Sequence, residues 1–231
     1  MMSPPSIEFL YLTVRPDIRP EDPDSEGGRS FTSMQTAVEH GGGLKHSRWG
    51  RTLENENNIV WIIEWADHSG CVPLSLLNPI LEPESIPVSF HVTLTPSLEN
   101  IFEDKPDTSP VIELAALAFP DNFEPTVKAN LNHDLVNFRT ALLHLRESKP
   151  PDSFSMGWVE RPSTVKHPDS ESGQASLVIM VVGWESKEDH MAASKTEEFE
   201  RAIGPLKRTM LPALQVLEMR HVKLRGGKYQ E

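Results

Sequence analysis

Two stretches of this chain repeat one pattern, and no other feature constrains its fold as tightly. Near residue 60, Trp49 and a polar turn lead into Ile59-Val60-Trp61-Ile62-Ile63-Glu64-Trp65. Near residue 180, Trp158 and a longer polar turn lead into Leu177-Val178-Ile179-Met180-Val181-Val182-Gly183-Trp184. Each copy follows a strand pattern and a helix pattern and precedes a helix and a strand. Ile7-Glu8-Phe9-Leu10-Tyr11-Leu12 opens the first copy and Ile112-Glu113-Leu114-Ala115-Ala116-Leu117 the second, and the shared Ile-Glu start sets the alignment. His91-Val92-Thr93-Leu94 and His221-Val222-Lys223-Leu224 close them alike. The pattern predicts a tandem duplication of one small α+β unit, βαββαβ.

Ile59–Trp65 and Ala175–Trp184 are apolar throughout rather than alternating, as strands covered on both faces are. A βαββαβ unit places helices on one face of its sheet, so the second copy is expected to cover the other, sheet against sheet. In the second half Val127, Leu131, Leu135, Phe138, Leu142 and Leu145 mark one face of a helix. Its first-half counterpart is weaker, roughly Phe31 to His40, ended by Gly41-Gly42-Gly43. Pro16 to Arg29 reads as a surface loop. Second helices are expected over Lys187 to Ala202 and, interrupted by Pro73 and Pro79, over about Ser69 to Leu81. Final strands are expected at Ile86 to Leu94 and Leu214 to Leu224. The chain then divides into a first repeat at 1–95, a linker at 96–109 rich in proline and acidic residues, and a second repeat at 110–231.

A formal net charge of −12 argues against nucleic acid, whose binding needs a basic footprint. The cluster of Lys223, Arg225 and Lys228 reads as a solvated terminus. No apolar run reaches bilayer length, so no membrane partner is expected. The start of the chain lacks the pattern of a secretory leader, and Cys71, alone, can form no internal disulfide, so the expected location is cytoplasmic. Nucleotide loops and nucleophile elbows are absent, and the histidines do not fall at metal-ligand spacing.

Trp184-Glu185-Ser186-Lys187-Glu188, followed by Thr196 and Phe199, resembles the antibiotic-biosynthesis-monooxygenase-like (ABM) group of the dimeric α/β barrel superfamily. The resemblance implies two ferredoxin-like repeats forming a single-chain dimeric α/β barrel, as a monomeric pseudo-dimer or a homodimer of such chains. The positions that hold a tryptophan and an iron-ligating histidine in heme-degrading relatives fall on Ala193 and Ile203. No cofactor and no metal are therefore expected. The better-formed second half is expected to hold the pocket.

The expected catalytic residues are His190, His133 and His221, which would move protons near neutral pH. Substrate-binding candidates are Trp158, Trp184, Asn137, His144 and Arg220. Asn130, His133, Asn137, Thr140 and His144 form a polar stripe that either edges the pocket or lies on a solvated helix flank. His190 stands where relatives face the core, and a buried imidazole needs a partner or a task. Trp158 and Trp184 either stack on a ligand or belong to the core. The face shared with Leu217 and Met219 favours burial of His221 over His91. Two function classes stay open. One is a cofactor-independent enzyme of secondary metabolism acting on a small, largely apolar, aromatic or polyketide-like compound by monooxygenation or proton transfer. The other is a non-catalytic ligand-binding or stress-type barrel protein.

Overall fold

Long apolar runs become the central strands, each flanked on both sides by another strand. In a computed structural model, which describes residues 5–98, 110–214 and 217–226, the chain is mixed α+β with antiparallel pairing. In chain order the first elements are β1 (Ser6–Thr13), α1 (Glu26–His40), β2 (Leu44–Arg51), β3 (Asn58–Trp65), a 3-10 turn (Leu74–Leu77) and β4 (Val88–Val92). There follow β5 (Val111–Pro120), α2 (Pro125–Leu142), β6 (Ser153–Arg161), β7 (Val165–Lys166), β8 (Gln174–Trp184), α3 (Lys187–Ala193), α4 (Glu197–Lys207), β9 (Arg220–Lys223) and β10 (Arg225–Gly226). No helix among the described residues is long and apolar enough to cross a membrane.

The elements form two compact units, one of Met1–Thr93 with Val222–Glu231 and one of Leu94–His221. In the first unit the strands run β10-β2-β3-β1-β4. Leu10, Leu12, Trp61, Ile63 and Trp65 point to one face and pack with Phe31, Met34 and Val38 of α1. In the second unit they run β6-β8-β5-β9, with β7 beside β8. There Leu131, Leu135, Phe138 and Leu142 of α2 meet Leu117, Phe154, Met180 and Val182. Phe138 sits edge-on to both Phe154 and Phe199, with ring centroids 6.0 and 5.7 Å away.

The central ladders share a register. Leu10 faces Trp61 and Glu8 faces Ile63 across β1 and β3; Ala115 faces Met180 and Glu113 faces Val182 across β5 and β8. Carried onto the neighbouring strands, this register pairs Trp49 with Met156, since each faces the matched residues Trp61 and Met180. Trp158 corresponds to Arg51, so the expected match of Trp49 with Trp158 is displaced by two residues.

Five expected elements change. Helix α1 begins at Glu26, five residues earlier than the periodicity predicts, because Ser25 caps it by accepting the N–H of Gly28 at 2.9 Å. Gly27 and Gly28 are not helix breakers there. They let the first turn lie against the backbone of Ile18 and Asp22, where a Cβ on Gly28 would strike the Asp22 carbonyl. After Trp65 the prolines leave only the 3-10 turn Leu74–Leu77 in place of the expected second helix. The helix expected over Lys187 to Ala202 breaks into α3 and α4, because the Thr196 hydroxyl caps a new start by accepting the N–H of Phe199 at 3.1 Å. The final strands are shorter than expected, Val88–Val92 and Arg220–Lys223. Of the expected linker, residues 99–109 lie outside the described residues, as do 215–216 and Lys228. Gly28→Ala is expected to lower stability by about 1–3 kcal/mol, the usual cost of forcing volume into a closed site; urea unfolding monitored by tryptophan fluorescence measures it.

Candidate functional site

Each unit buries one glutamate on the helix-facing side of its sheet. Glu8 is 1% exposed and has a donor at every turn. Its Oε2 accepts the Trp65 indole N–H at 2.9 Å and the Val72 backbone N–H at 3.0 Å. Its Oε1 accepts the Ser89 hydroxyl at 2.8 Å and lies 3.4 Å from His91 Nε2. Burial alone would raise its pKa, but His91, Ser89 and Trp65 together hold the carboxyl below its ordinary value, ionised. The chain after Trp65 supplies the fourth donor because Gly70 lies flat on the Trp65 ring, where any Cβ would collide with the indole.

Glu113, 6% exposed, keeps the tryptophan and loses the rest. Its Oε2 accepts the Trp184 indole N–H at 2.7 Å and lies 3.6 Å from His190 Nε2. Burial pushes its carboxyl up to about 7, and the Trp184 N–H only partly offsets this. Ser186 caps α3 by accepting the N–H of Asp189 at 3.1 Å, and His190, in the last turn of this short helix, has its ring inward and is 4% exposed. That ring leans on Trp184, centroids 5.1 Å apart at 32°. Its Nδ1 meets His221 Nε2 at 2.8 Å. Burial, then the charges of His221 and Lys187, lower His190 to about 4, so it is neutral at physiological pH. A neutral imidazole presents one N–H and one lone pair. Whichever way the proton lies in the His190–His221 bond fixes what Nε2 shows to Glu113. The three groups can therefore pass a proton along a line.

Glu113 and His190 border a cavity of about 290 Å³ whose other walls are mostly carbon: Ala115, Leu117, Phe138, Met180, Phe199 and Met219 among them. The first unit explains how the space arises. Where it has Leu10, Trp61 and Ile63, the same register positions hold Ala115, Met180 and Val182. Smaller side chains leave room for a small ligand, at the low end of the roughly 300–1,000 Å³ typical of such sites. Of the two positions expected from the resemblance to correspond to heme-binding ones, Ala193 is fully buried and Ile203 lines the cavity, and neither side chain carries a ligating atom. Both nitrogens of His190 face protein groups. Among the described residues no cluster of three or more His, Cys, Asp or Glu could hold a metal ion.

Of the residues singled out from sequence, the structure brings His190 to the cavity and His221 directly behind it. Trp184 touches the site from beneath, as the donor to Glu113 rather than a stacking surface. His133 and Asn137 lie on the exposed flank of α2, because Leu131, Leu135, Phe138 and Leu142 take its inward face, and His144 is exposed just past its C-terminal end. The His144 ring caps its own helix, 2.8 Å from the Thr140 carbonyl. Trp158 on β6 is half-buried against the core, its ring 5.8 Å from that of Phe119; it donates to Asn132 Oδ1 at 2.8 Å, carries Lys128 over its ring, and does not line the cavity. Arg220 is half-buried on β9 and is not part of the cavity wall. His91, expected to be the less buried of the two strand histidines, is 4% exposed against 1% for His221; both are buried, His91 because it turns to Glu8. Sequence reasoning missed Glu113. The signal was present: a carboxylate sharing strand parity with Ala115 and Leu117 points into the core.

No family model matches the sequence, and no curated protein does. Solved structures share the backbone. An anthrone oxidase-like protein superposes with a TM-score of 0.59 at 12% identity, over 96% of this chain and 91% of its own. A candidate monooxygenase from Fusobacterium nucleatum subsp. nucleatum gives 0.55 at 10% identity over the whole of both chains. A candidate chlorite dismutase gives 0.52 at 13%, over 95% of each. The likeness is one of fold.

The two glutamates make opposite contributions to stability as pH changes. A carboxyl raised from 4.5 to about 7 keeps its proton when the unfolded chain has lost it, so its contribution falls as pH rises through that window. Glu113→Gln, still an acceptor for Trp184, is expected to be near neutral at pH 5 and to raise stability by roughly 1–3 kcal/mol at pH 8. Glu8 is depressed, so its contribution is full at neutral pH and is lost as pH falls through its folded value; Glu8→Gln is expected to cost about 2 kcal/mol at pH 7. Chemical denaturation at the two pH values separates them.

Proposed function

We propose that the chain is a cofactor-independent enzyme of the ABM-like type, built as two ferredoxin-like repeats (1–95 and 110–231, joined by 96–109) in a single-chain α/β barrel. It acts on a small, largely apolar, aromatic or polyketide-like compound held in the cavity of the second unit. One observation carries the reading: an apolar cavity ends on a buried carboxyl whose proton is exchangeable near neutral pH, backed by a neutral histidine pair. A general base works best when its pKa lies near the operating pH, and Glu113 is set there by burial. The names of similarly folded proteins, monooxygenase and anthrone oxidase-like, support base-initiated oxidation by O₂ over simple binding.

In this mechanism ionised Glu113 takes a proton from an activated methylene or phenol of the substrate. The electron pair stays behind as an enolate, in surroundings too apolar to hydrate it. The enolate reduces O₂, a C–O bond forms, and loss of water from the resulting hydroperoxide leaves a carbonyl where the methylene stood. His190, through its bond to His221, adjusts its tautomer so that an N–H or a lone pair meets Glu113 as the proton comes and goes. His190 and Glu113 are the catalytic residues, and His221 is a positioning residue. His133 and Asn137, on the outer flank of α2, and His144, just past its end, have no part in it.

Anthrone under air is the first substrate to try, with oxygen uptake and carbonyl formation followed together. The expected kcat/KM rises with pH through about 7 and levels off above it. Glu113→Gln should lose at least about 100-fold, the low end of general-base contributions, and His133→Ala should stay within about twofold of wild type. Full turnover by Glu113→Gln would sink the mechanism. His221→Asn should mainly lower kcat and displace the pH profile; a change confined to KM would assign His221 to packing alone.

A further inference from the structure

Taking the cavity as the ligand site, we infer that His167 is a positioning residue of the second unit. From a loop outside the cavity it pins the chain segment that forms one wall, and so sets how fast a ligand enters and leaves.

Residues 209–213 lead from α4 towards β9 without helix or strand. Met210, Leu211 and Ala213 line the cavity, while Pro212 and Ala213 are exposed, so the wall here is one chain thick. The first unit shows how such a segment is held more firmly. In the shared register Thr13 corresponds to Ala118 and, two residues on, Arg15 to Pro120. The Thr13 carbonyl accepts the N–H of Glu82 at 2.9 Å, and the Ala118 carbonyl accepts that of Leu211 at 2.8 Å, so Glu82-Pro83 matches Leu211-Pro212. Arg15 then adds two ties: its backbone N–H to the Ile80 carbonyl at 3.1 Å and its guanidinium to the Pro79 carbonyl at 2.7 Å. Pro120 has neither an N–H nor a guanidinium, and both ties are lost.

His167 supplies a replacement. The hairpin turn at 54–57 in the first unit becomes a loop at 162–173 in the second. This loop closes on itself, His167 N–H to the Gly173 carbonyl at 3.0 Å and Gly173 N–H to the Ser170 carbonyl at 2.9 Å. The Ser172 hydroxyl fastens it to Asp121 Oδ1, just after β5, at 2.5 Å. The His167 ring is 2% exposed, with Nδ1 3.2 Å from the Asp169 backbone N and Nε2 2.9 Å from the Pro212 carbonyl. A backbone N–H can only donate and a carbonyl can only accept, so the ring carries its proton on Nε2 and donates to Pro212. The added loop thus delivers one N–H to the carbonyl beside Leu211. A segment held so sparsely opens locally more readily than the sheet it leans on.

The test is hydrogen exchange read by mass spectrometry on the full chain at pH 7, in wild type, His167→Asn and His167→Gln. Asparagine keeps an acceptor near the place of Nδ1 but falls short of Pro212; glutamine puts an amide N–H near the place of Nε2. The peptide over 209–213 is expected to exchange about tenfold faster in His167→Asn, the loss of one hydrogen bond, and at close to the wild-type rate in His167→Gln. Amides of α2 should be unchanged in both. Release of the apolar dye N-phenyl-1-naphthylamine, followed by stopped flow, should accelerate by a similar factor in His167→Asn and recover in His167→Gln. Pro120→Arg restores the donors that Arg15 provides and should slow both exchange and release. Unchanged exchange in His167→Asn, or equal loosening by both substitutions, overturns the pin. Faster exchange with unchanged release overturns its control of the cavity. If His167→Asn also exposes α2, Pro120→Arg decides, and unchanged exchange there overturns the proposal. A dye that fails to bind wild type sinks the cavity as a ligand site and the control of release with it, while exchange still decides the pin. Neither measurement uses turnover, so failure of the oxidation mechanism would leave both standing.

Discussion

A carboxyl group inside a protein must be given hydrogen bonds or a proton, and each unit of this chain is arranged around one such group. The bond common to both runs from an indole at the end of one central strand to a glutamate near the start of its neighbour. It ties β3 to β1 and β8 to β5 beneath the helical layer, and it satisfies the one polar atom of a buried tryptophan. Everything else follows from what is added. Three more donors, from Val72, Ser89 and His91, make Glu8 an anchor that is ionised at neutral pH in a filled core. Their removal, with smaller side chains alongside, makes Glu113 a carboxyl that trades its proton at the edge of a cavity.

Proton counting clarifies why such an arrangement is tolerated. In the folded second unit, Glu113 holds a proton up to about pH 7 and His190 refuses one down to about pH 4. In the unfolded chain the histidine would hold the proton and the carboxylate would be bare. Between roughly pH 4.5 and 6.5 both states of the pair carry the same number of protons, so the pair adds no slope to stability there. Folding moves a proton from imidazole to carboxyl and buries two neutral groups in place of an ion pair, which lowers the desolvation cost.

Much of this was written in the order of residues. The apolar runs at Ile59–Trp65 and Ala175–Trp184 and the spacing of Leu131, Leu135, Phe138 and Leu142 marked the central strands and the main helix, because burial on both faces or on one stripe leaves a periodic trace. Glycine and proline were harder to interpret. Gly27 and Gly28 look like breakers until Asp22 folds back against them, a contact distant in no sense except local geometry. The site itself was half legible. His190 and His221 stood out as imidazoles on core-facing positions, whereas Glu8 and Glu113 served only to align the copies, though their parity with Leu10 and Ala115 already turned them inward. The stripe through His133 and His144 has helical spacing with no inherent direction, and only packing decides which side of it faces water. Conspicuous tryptophans misaligned the hairpins by two residues where ladder register did not.

Glu8 and Glu113 are separate positions in one polypeptide, and that separateness has a consequence for how the site could change. In an assembly of identical subunits, every substitution appears in all copies at once, so a gain at one site is paid in stability at its twin. Here position 89 is a serine donor while position 219 is a methionine, and the loop at Gly70–Val72 closes over one carboxylate while α3 brings a histidine to the other. A filled, rigid core and an accessible, reactive one thus occupy the same chain without compromise between them, and a variant library confined to Ala115, Met180, Met219 and their neighbours can alter ligand preference while leaving the Glu8 core unchanged.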